Sequence, residues 1–147
     1  MNDYSVNNDT FFIARTYKAA PERVFAAWAD PALKANWFPK ADVFDFRIGG
    51  LEIIQMAAPD GTVFKSTATF HEIVPSNRII YTMTIDMGER RISVGLITIE
   101  FKPEGTGTQL VYTEQCVFLD GMDSADIHRE GANDFLDKLG AELERAS

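Results

Sequence analysis

Residues 112–121 read YTEQCVFLDG, a strand-like stretch with a glutamate, Glu114, inside it and the chain's only cysteine, Cys116, two residues on. Period-2 alternation puts Leu110, Tyr112, Glu114, Cys116 and Phe118 on one face and Val111, Thr113, Gln115 and Val117 on the other. The Leu-Tyr-Phe face is the one that turns to a core. Glu114 then either sits at the rim, solvated or paired with an arginine, or points into the interior. An interior carboxylate has its pKa raised by desolvation and can exchange a proton with a bound molecule. The second acid–base group is His128, in a segment of helical period. It falls about 100° from Ile127 on the helical wheel, near the centre of the apolar arc, and so looks at the sheet. It is either a core histidine with one hydrogen bond or a ligand contact with Glu114 as its partner. In such a pair the carboxylate orients the imidazole and raises its basicity, the logic of general base catalysis.

The other reactive groups carry less. His71 alternates with Thr67, Thr69 and Ile73, and its face stays open. Cys116 has no neighbouring histidine in sequence and reads as a small packing residue. Two histidines and one cysteine show no metal-ligand spacing, so neither a metal nor a cofactor is expected. No G-x-S-x-G, P-loop or G-x-G-x-x-G motif is present. Gly49-Gly50 is a bend between strands, not a phosphate loop, because no helix follows it. Gly131 falls on the inward arc of the last helix, where it either admits a packed side chain or leaves room for a ligand. Arg15 lies either near a pocket mouth or in a surface ion pair.

Elements must position these groups. Residues 1–9 read as a flexible N-terminus, and 10–147 as a single domain. FFIARTY (11–17) is a first strand. Pro21 starts a short helix with Val24, Phe25 and Trp28 at helix spacing. Asp30 caps a second short helix that starts at Pro31. From residue 42 the pattern changes to six strands broken by turn signals at Gly49-Gly50, Pro59-Asp60-Gly61, Pro75-Ser76-Asn77, Gly88, Pro103-Glu104-Gly105 and Asp120-Gly121. From Asp123 the period is helical again, with Ile127, Gly131, Ala132, Phe135, Leu136, Leu139 and Leu143 as the apolar stripe and Asp123 or Ser124 as cap. This helix is about 22 residues, on the order of 33 Å, enough to cross a sheet. The fold class is α+β: a seven-stranded, curved antiparallel sheet around one long C-terminal helix, with two short helices after strand one.

A length of 147 residues suits one core. Eleven Phe, four Tyr and two Trp make that core, or a cavity wall, rich in rings. The net charge of −8 argues against nucleic acid or an anionic membrane as partner. One cysteine suits a reducing compartment. MNDYSVNND carries no apolar signal region, and no apolar run reaches the roughly 20 residues of a membrane helix. A cytoplasmic protein is expected.

The order and spacing of RTYKAAPERVFAAWADP (15–31), Trp37-Phe38, FRIGG (46–50), the Pro-Asp-Gly turn at 59–61, EIVPSNRIIYT (72–82), GTQLVYTEQ (107–115) and REG (129–131) resemble the START-like (SRPBCC, helix-grip) superfamily. Within it the match is to homologues of the C-terminal domain of the heat-shock protein 90 ATPase activator. The resemblance covers nearly the whole chain after residue 10 and is specific for fold more than for activity. Members bind small apolar ligands, act as cyclases or hydrolases in some branches, and in one branch stimulate a chaperone. Many relatives carry Trp near Met83 and after the glycine of the last helix, where this chain has Ala132. That implies a cavity roomier or more adaptable on that side.

Trp28, Trp37, Phe38, Phe44, Phe46, Phe64, Tyr81, Met83 and Phe135 are too many large groups for a minimal core, and some should line a pocket. The first reading is therefore binding of a small apolar or amphipathic molecule between sheet and helix, with Tyr81, Tyr112, Glu114, His128 and the space at Gly131 shaping the site. The second is an acid–base enzyme, cyclase-like or hydrolase-like, with Glu114 and His128 as its catalytic pair. The third is a chaperone-interacting module; the chain lacks the activator's separate N-terminal domain, which counts against it. A homodimer is also compatible with the pattern.

Overall fold

The computed structural model describes residues 4–146. Seven antiparallel strands form one sheet in the order β1-β7-β6-β5-β4-β3-β2. The strands are β1 (Val6–Tyr17), β2 (Val43–Phe44), β3 (Leu51–Ala57), β4 (Val63–Val74), β5 (Arg78–Met87), β6 (Arg90–Glu104) and β7 (Gly107–Leu119). Strands β2 to β7 follow one another as a meander, and β1 closes the far edge against β7. Register shifts at Phe70/Glu72 and Ile85/Asp86 interrupt the ladders at either end of β5, and such irregularities bend a sheet. Two helices, α1 (Pro21–Ala29) and α2 (Pro31–Lys34), follow β1, and α3 (Ala125–Arg145) ends the chain. The α+β architecture expected from the sequence is the one observed. None of the described helices is long and apolar enough to cross a membrane.

The local chemistry explains the helices. Pro21 opens α1, which buries Val24, Phe25, Ala27 and Trp28. The Asp30 carboxylate accepts from the Ala32 and Leu33 amides at 2.9 and 3.4 Å, capping α2 behind Pro31. Ser124 caps α3 by accepting from the Ile127 amide at 3.3 Å.

Three sequence expectations need correction. The stretch 6–9, expected to be flexible, belongs to β1, because β7 runs on to Leu119 and offers it partners from Val6↔Leu119 to Asp9↔Cys116. The strand expected across 42–48 shrinks to Val43–Phe44. Beyond it the chain folds back through Arg47 N to Asp45 O and Gly50 N to Arg47 O, and a Cβ on Gly50 would stand 2.0 Å from Asp45 O. The inward stripe of α3 is also rotated: Ala125, Ala132, Leu136, Leu139 and Leu143 are buried, whereas Ile127 is 61% exposed and Gly131 is exposed. His128, four residues before Ala132, is on the inner stripe, so Ile127 and Gly131, one residue before His128 and Ala132, are each turned away by about 100°.

Helix α3 is tied down along its length. The Tyr17 hydroxyl donates to Leu136 O at 2.8 Å, and the Arg15 guanidinium meets Asp137 at 2.6 Å and the Asn133 side chain at 2.9 Å. At its end, Asn36 donates to Glu142 at 2.9 Å, and Arg23 donates to the Leu143 carbonyl. Arg15 thus clamps β1 to α3 rather than guarding a pocket mouth.

On the inner face of β6, a Cβ added at Gly95 would meet Cys116 Sγ at 2.4 Å. Gly95 and Cys116 are cross-strand partners, so the missing methyl and the thiol fill one space. We predict that Gly95→Ala costs about 1–3 kcal/mol by overpacking. In a Cys116→Ala background it should cost less than half as much. Urea unfolding of the four proteins of this cycle measures the coupling; additive costs would contradict the shared space.

Candidate functional site: a histidine between two carboxylates

The inner face of β7 delivers Tyr112, Glu114 and Cys116 side by side, as alternation requires. Glu114 is only 2% exposed. Its Oε1 accepts from the Tyr112 hydroxyl at 2.7 Å, and its Oε2 accepts from the Cys116 thiol at 3.0 Å and from His128 Nδ1. The other ring nitrogen of His128, Nε2, meets Asp123 Oδ2 at 2.5 Å. Phe118 packs edge-on against the imidazole, with ring centroids 5.0 Å apart. Of the alternatives the sequence leaves open, the Glu114–His128 pair is the one that forms, and Glu114 is inside rather than at the rim.

Asp123 was read from the sequence only as a possible cap. It lies just before the cap residue Ser124, accepts from the Ser124 amide at 2.9 Å, and still reaches His128 five residues on. The available signal was an acidic side chain one residue ahead of the cap, on the approach to a histidine in the first turns.

Hydrogen-bond counting fixes the protonation state. Ionised carboxylates only accept, and a neutral imidazole has one N–H. With an ionised carboxylate on each nitrogen, His128 carries both protons and a positive charge. The pKa directions agree. Burial pulls His128 down, but the hydrogen bonds of Asp123, Cys116 and Glu114 and the Glu114 charge outweigh it and lift the group to about 11. Burial pushes the Glu114 carboxyl up, but His128, Cys116 and Tyr112 together hold it below its usual value. Burial first, and the neighbouring Glu114 charge after it, push the Cys116 thiol up to about 11, so Cys116 is a protonated packing residue and hydrogen-bond donor.

A second buried ionic pair lies on the same inner face, toward the opposite edge of the sheet. Lys34 of α2 places Nζ 2.8 Å from both oxygens of Glu52 on β3, with both side chains buried. Rings of Phe38, Phe44 and Trp28 surround the ammonium at 4.3, 4.7 and 5.5 Å. Burial pulls the Lys34 pKa down against the opposing pull of Glu52. Sequence reading missed this pair. The signal was Glu52 sharing the inward face of β3 with Ile54, two residues on. Tyr81 connects the two centres: burial raises its pKa well above 10.0, and the charges of both Glu52 and Glu114 add to the rise.

The remaining expected site residues fall as follows. Trp28, Trp37, Tyr81 and Tyr112 are buried in the core, and Phe38, Phe46, Met83 and Phe135 pack against it, half-buried. Phe64 shares the register of Ala68 and Phe70 but sits half-buried at the start of β4, apart from that cluster. Gly131 is on the outer side of α3, in a shallow open depression of about 520 Å³ with Ile127, Glu130, Asn133, Asp134 and Asp137. It is not part of the interior site. His71 is exposed and bonded to Thr82 Oγ1 at 2.8 Å.

Donor atoms of Glu114, Cys116 and His128 lie within 4.8 Å of one another, the one group among the described residues that could hold a metal ion. Their spacing in sequence concealed it, because His128 comes from another element. A metal would have to strip the thiol proton and displace the His128 proton from Glu114; the internal pairing already satisfies each group.

The charged triad predicts a pH signature. His128 has a folded-state pKa raised above its ordinary 6.5, so its stabilisation is complete below pH 6.5 and is lost as pH rises toward about 11. We predict that His128→Gln costs about 3 kcal/mol near pH 6, since it leaves a buried carboxylate without its cation. That deficit should shrink steadily between pH 7 and 10 in parallel urea titrations. A pH-independent deficit would contradict the charged histidine.

Solved structures resemble the whole fold. The Mll3558 protein from Rhizobium loti is 41% identical, with 95% of this chain and 99% of that chain covered at a TM-score of 0.90. An uncharacterized protein from Rhizobium leguminosarum is 40% identical, with 96% and 97% covered at a TM-score of 0.90. DynU16, a putative protein in the dynemicin biosynthetic locus, shares the fold at 18% identity and a TM-score of 0.71, with 95% of this chain aligned to 48% of that one. No curated protein matches the chain. The model of the family described as activator of Hsp90 ATPase homolog 1-like protein matches residues 18–144. With that span, and with the helix-grip architecture around Glu114 and His128, the chain belongs to the activator of Hsp90 ATPase homolog 1-like family.

Proposed function

We propose that the protein binds a small apolar or amphipathic molecule between the inner face of the sheet and α3. The observation that carries this reading is the placement of fully paired ionic groups inside a ring-rich core. Well-packed apolar residues in place of a buried ion pair are often neutral or stabilising, so the pairs are poor candidates for stability alone. They serve better as fixed polar landmarks for a bound molecule.

The floor of the interior supports the reading. One cross-strand row runs Cys116–Gly95–Met83–Ala68–Glu52, so Met83 is flanked by two of the smallest residues. On α3 the small Ala132 is buried, and Phe135 stands beside Tyr112, Trp28, Trp37 and Phe38. A flexible thioether between small neighbours is the side chain that yields most cheaply to an incoming ring. The half-buried Phe38 and Phe135, 5.0 Å apart, form the edge that must part to admit it.

The acid–base enzyme reading is weaker on the same geometry. A proton-transfer group works best with a pKa near the operating pH. Here His128 is held up at about 11 and Glu114 below its usual value, so the resting pair is locked as ions.

Equilibrium dialysis with 2-isopropylnaphthalene tests the proposal. Saturable binding to one site is expected, weakened about tenfold or more when Met83→Trp fills the floor, and changed by less than about threefold in Glu114→Gln, one tenfold step being 1.4 kcal/mol. The absence of saturable binding, or binding indifferent to Met83→Trp, would overturn it.

A further inference from the structure

We infer that the Lys34–Glu52–Trp28 end of the interior recognises an uncharged carbonyl oxygen, so that the bound molecule is a planar apolar compound carrying a ketone, quinone or similar group. This rests on the binding reading above and specifies which end of the ligand goes where.

The argument is a hydrogen-bond count. The Trp28 indole N–H is buried, with the residue 1% exposed, and has no hydrogen-bond partner. Its neighbour Trp37, ring centroid 4.7 Å away, donates its own indole N–H to Ala27 O at 3.0 Å. An indole here thus takes a carbonyl where the fold supplies one, and Trp28 is left without. The Lys34 ammonium has three N–H donors; two go to Glu52, and rings of Phe38, Phe44 and Trp28 surround the rest of it. Buried donors without partners are costly and rare in native structures, and each calls for an explanation. A ligand acceptor oxygen satisfies the Trp28 N–H, beside an ammonium already held by Glu52 and the rings.

Charge selects among acceptors. Lys34 is already neutralised by Glu52, and Glu114, with Asp123 beyond it, adds negative charge across the same interior. A ligand carboxylate would be buried without a counter-ion, at high cost. A neutral carbonyl accepts from the Trp28 N–H without bringing charge in. The rings of Trp37, Phe38 and Phe135 pack edge to face or tilted around Trp28 and would offer apolar faces to the flat remainder of the molecule.

The matched pair 2-acetylnaphthalene and 2-isopropylnaphthalene isolates the carbonyl, since the two have nearly the same shape. Dissociation constants by equilibrium dialysis should favour the ketone in the wild type. Trp28→Phe, which removes the N–H and keeps a ring, should cut that preference about fivefold, on the order of one hydrogen bond, the preference being the ratio of the two dissociation constants within each protein so that a packing change common to both compounds cancels. Lys34→Met/Glu52→Gln, changed together so that no charge is stranded, should reduce the preference further. The inference is overturned if the wild type does not prefer the ketone, or if both variants weaken both compounds alike. Binding of the hydrocarbon without preference leaves the binding reading standing and removes only the carbonyl site. Binding of neither compound removes both.

Discussion

A positive charge sits where a helix resists it. The N-terminal end of α3 presents unpaired amides and the positive end of the helix dipole, yet His128 in its first turns is doubly protonated. Only carboxylates on both sides make that tolerable, and they come from different elements: Glu114 from β7 and Asp123 from the loop before α3. The ion triad therefore does more than satisfy its members. It fixes the start of α3 against the last strand, and with Tyr17, Arg15 and Asn36 further along it fixes the rotation of the whole helix. Which α3 residues see the interior follows from that rotation.

The interior divides into two polar centres with an aromatic belt around them. The triad end is saturated: each oxygen of Glu114 has a partner, and both nitrogens of His128 are committed. The Lys34 end keeps one spare donor, the buried Trp28 N–H. Under the proposed reading, a molecule entering between them would meet a centre that gives little and a centre that can still give a hydrogen bond. On the proposed binding reading, this asymmetry would let one fold hold ions in its core and discriminate by an oxygen rather than by charge. Cys116, although flanked by a histidine and a glutamate, is held as a thiol because burial and the Glu114 charge disfavour its thiolate.

Much of this was legible in sequence because it depends on period and punctuation. Alternation offered Glu114 to the inner face, turn residues separated the last six strands, and Asp30-Pro31 marked the second short helix. What escaped depends on three-dimensional detail that period cannot carry. The α3 stripe was read one residue off at Ile127 and Gly131, because glycine and a lone isoleucine weigh on a wheel without revealing which way the helix is anchored. Asp123 was hidden by its second capacity as a cap. Lys34 and Glu52 were hidden by the rule that charged residues face water, a rule that fails when two of them pair among rings. Residues 6–9 looked flexible because their polarity says nothing about a partner strand that arrives more than a hundred residues later.

The protonation state of His128 is the point on which the account turns, and nitrogen-15 NMR of its imidazole reads it directly. The account predicts that both ring nitrogens keep the chemical shift and attached proton of an imidazolium from pH 6 to at least pH 9, as a pKa of about 11 requires. A neutral tautomer, with one bare nitrogen, at pH 8 would contradict it.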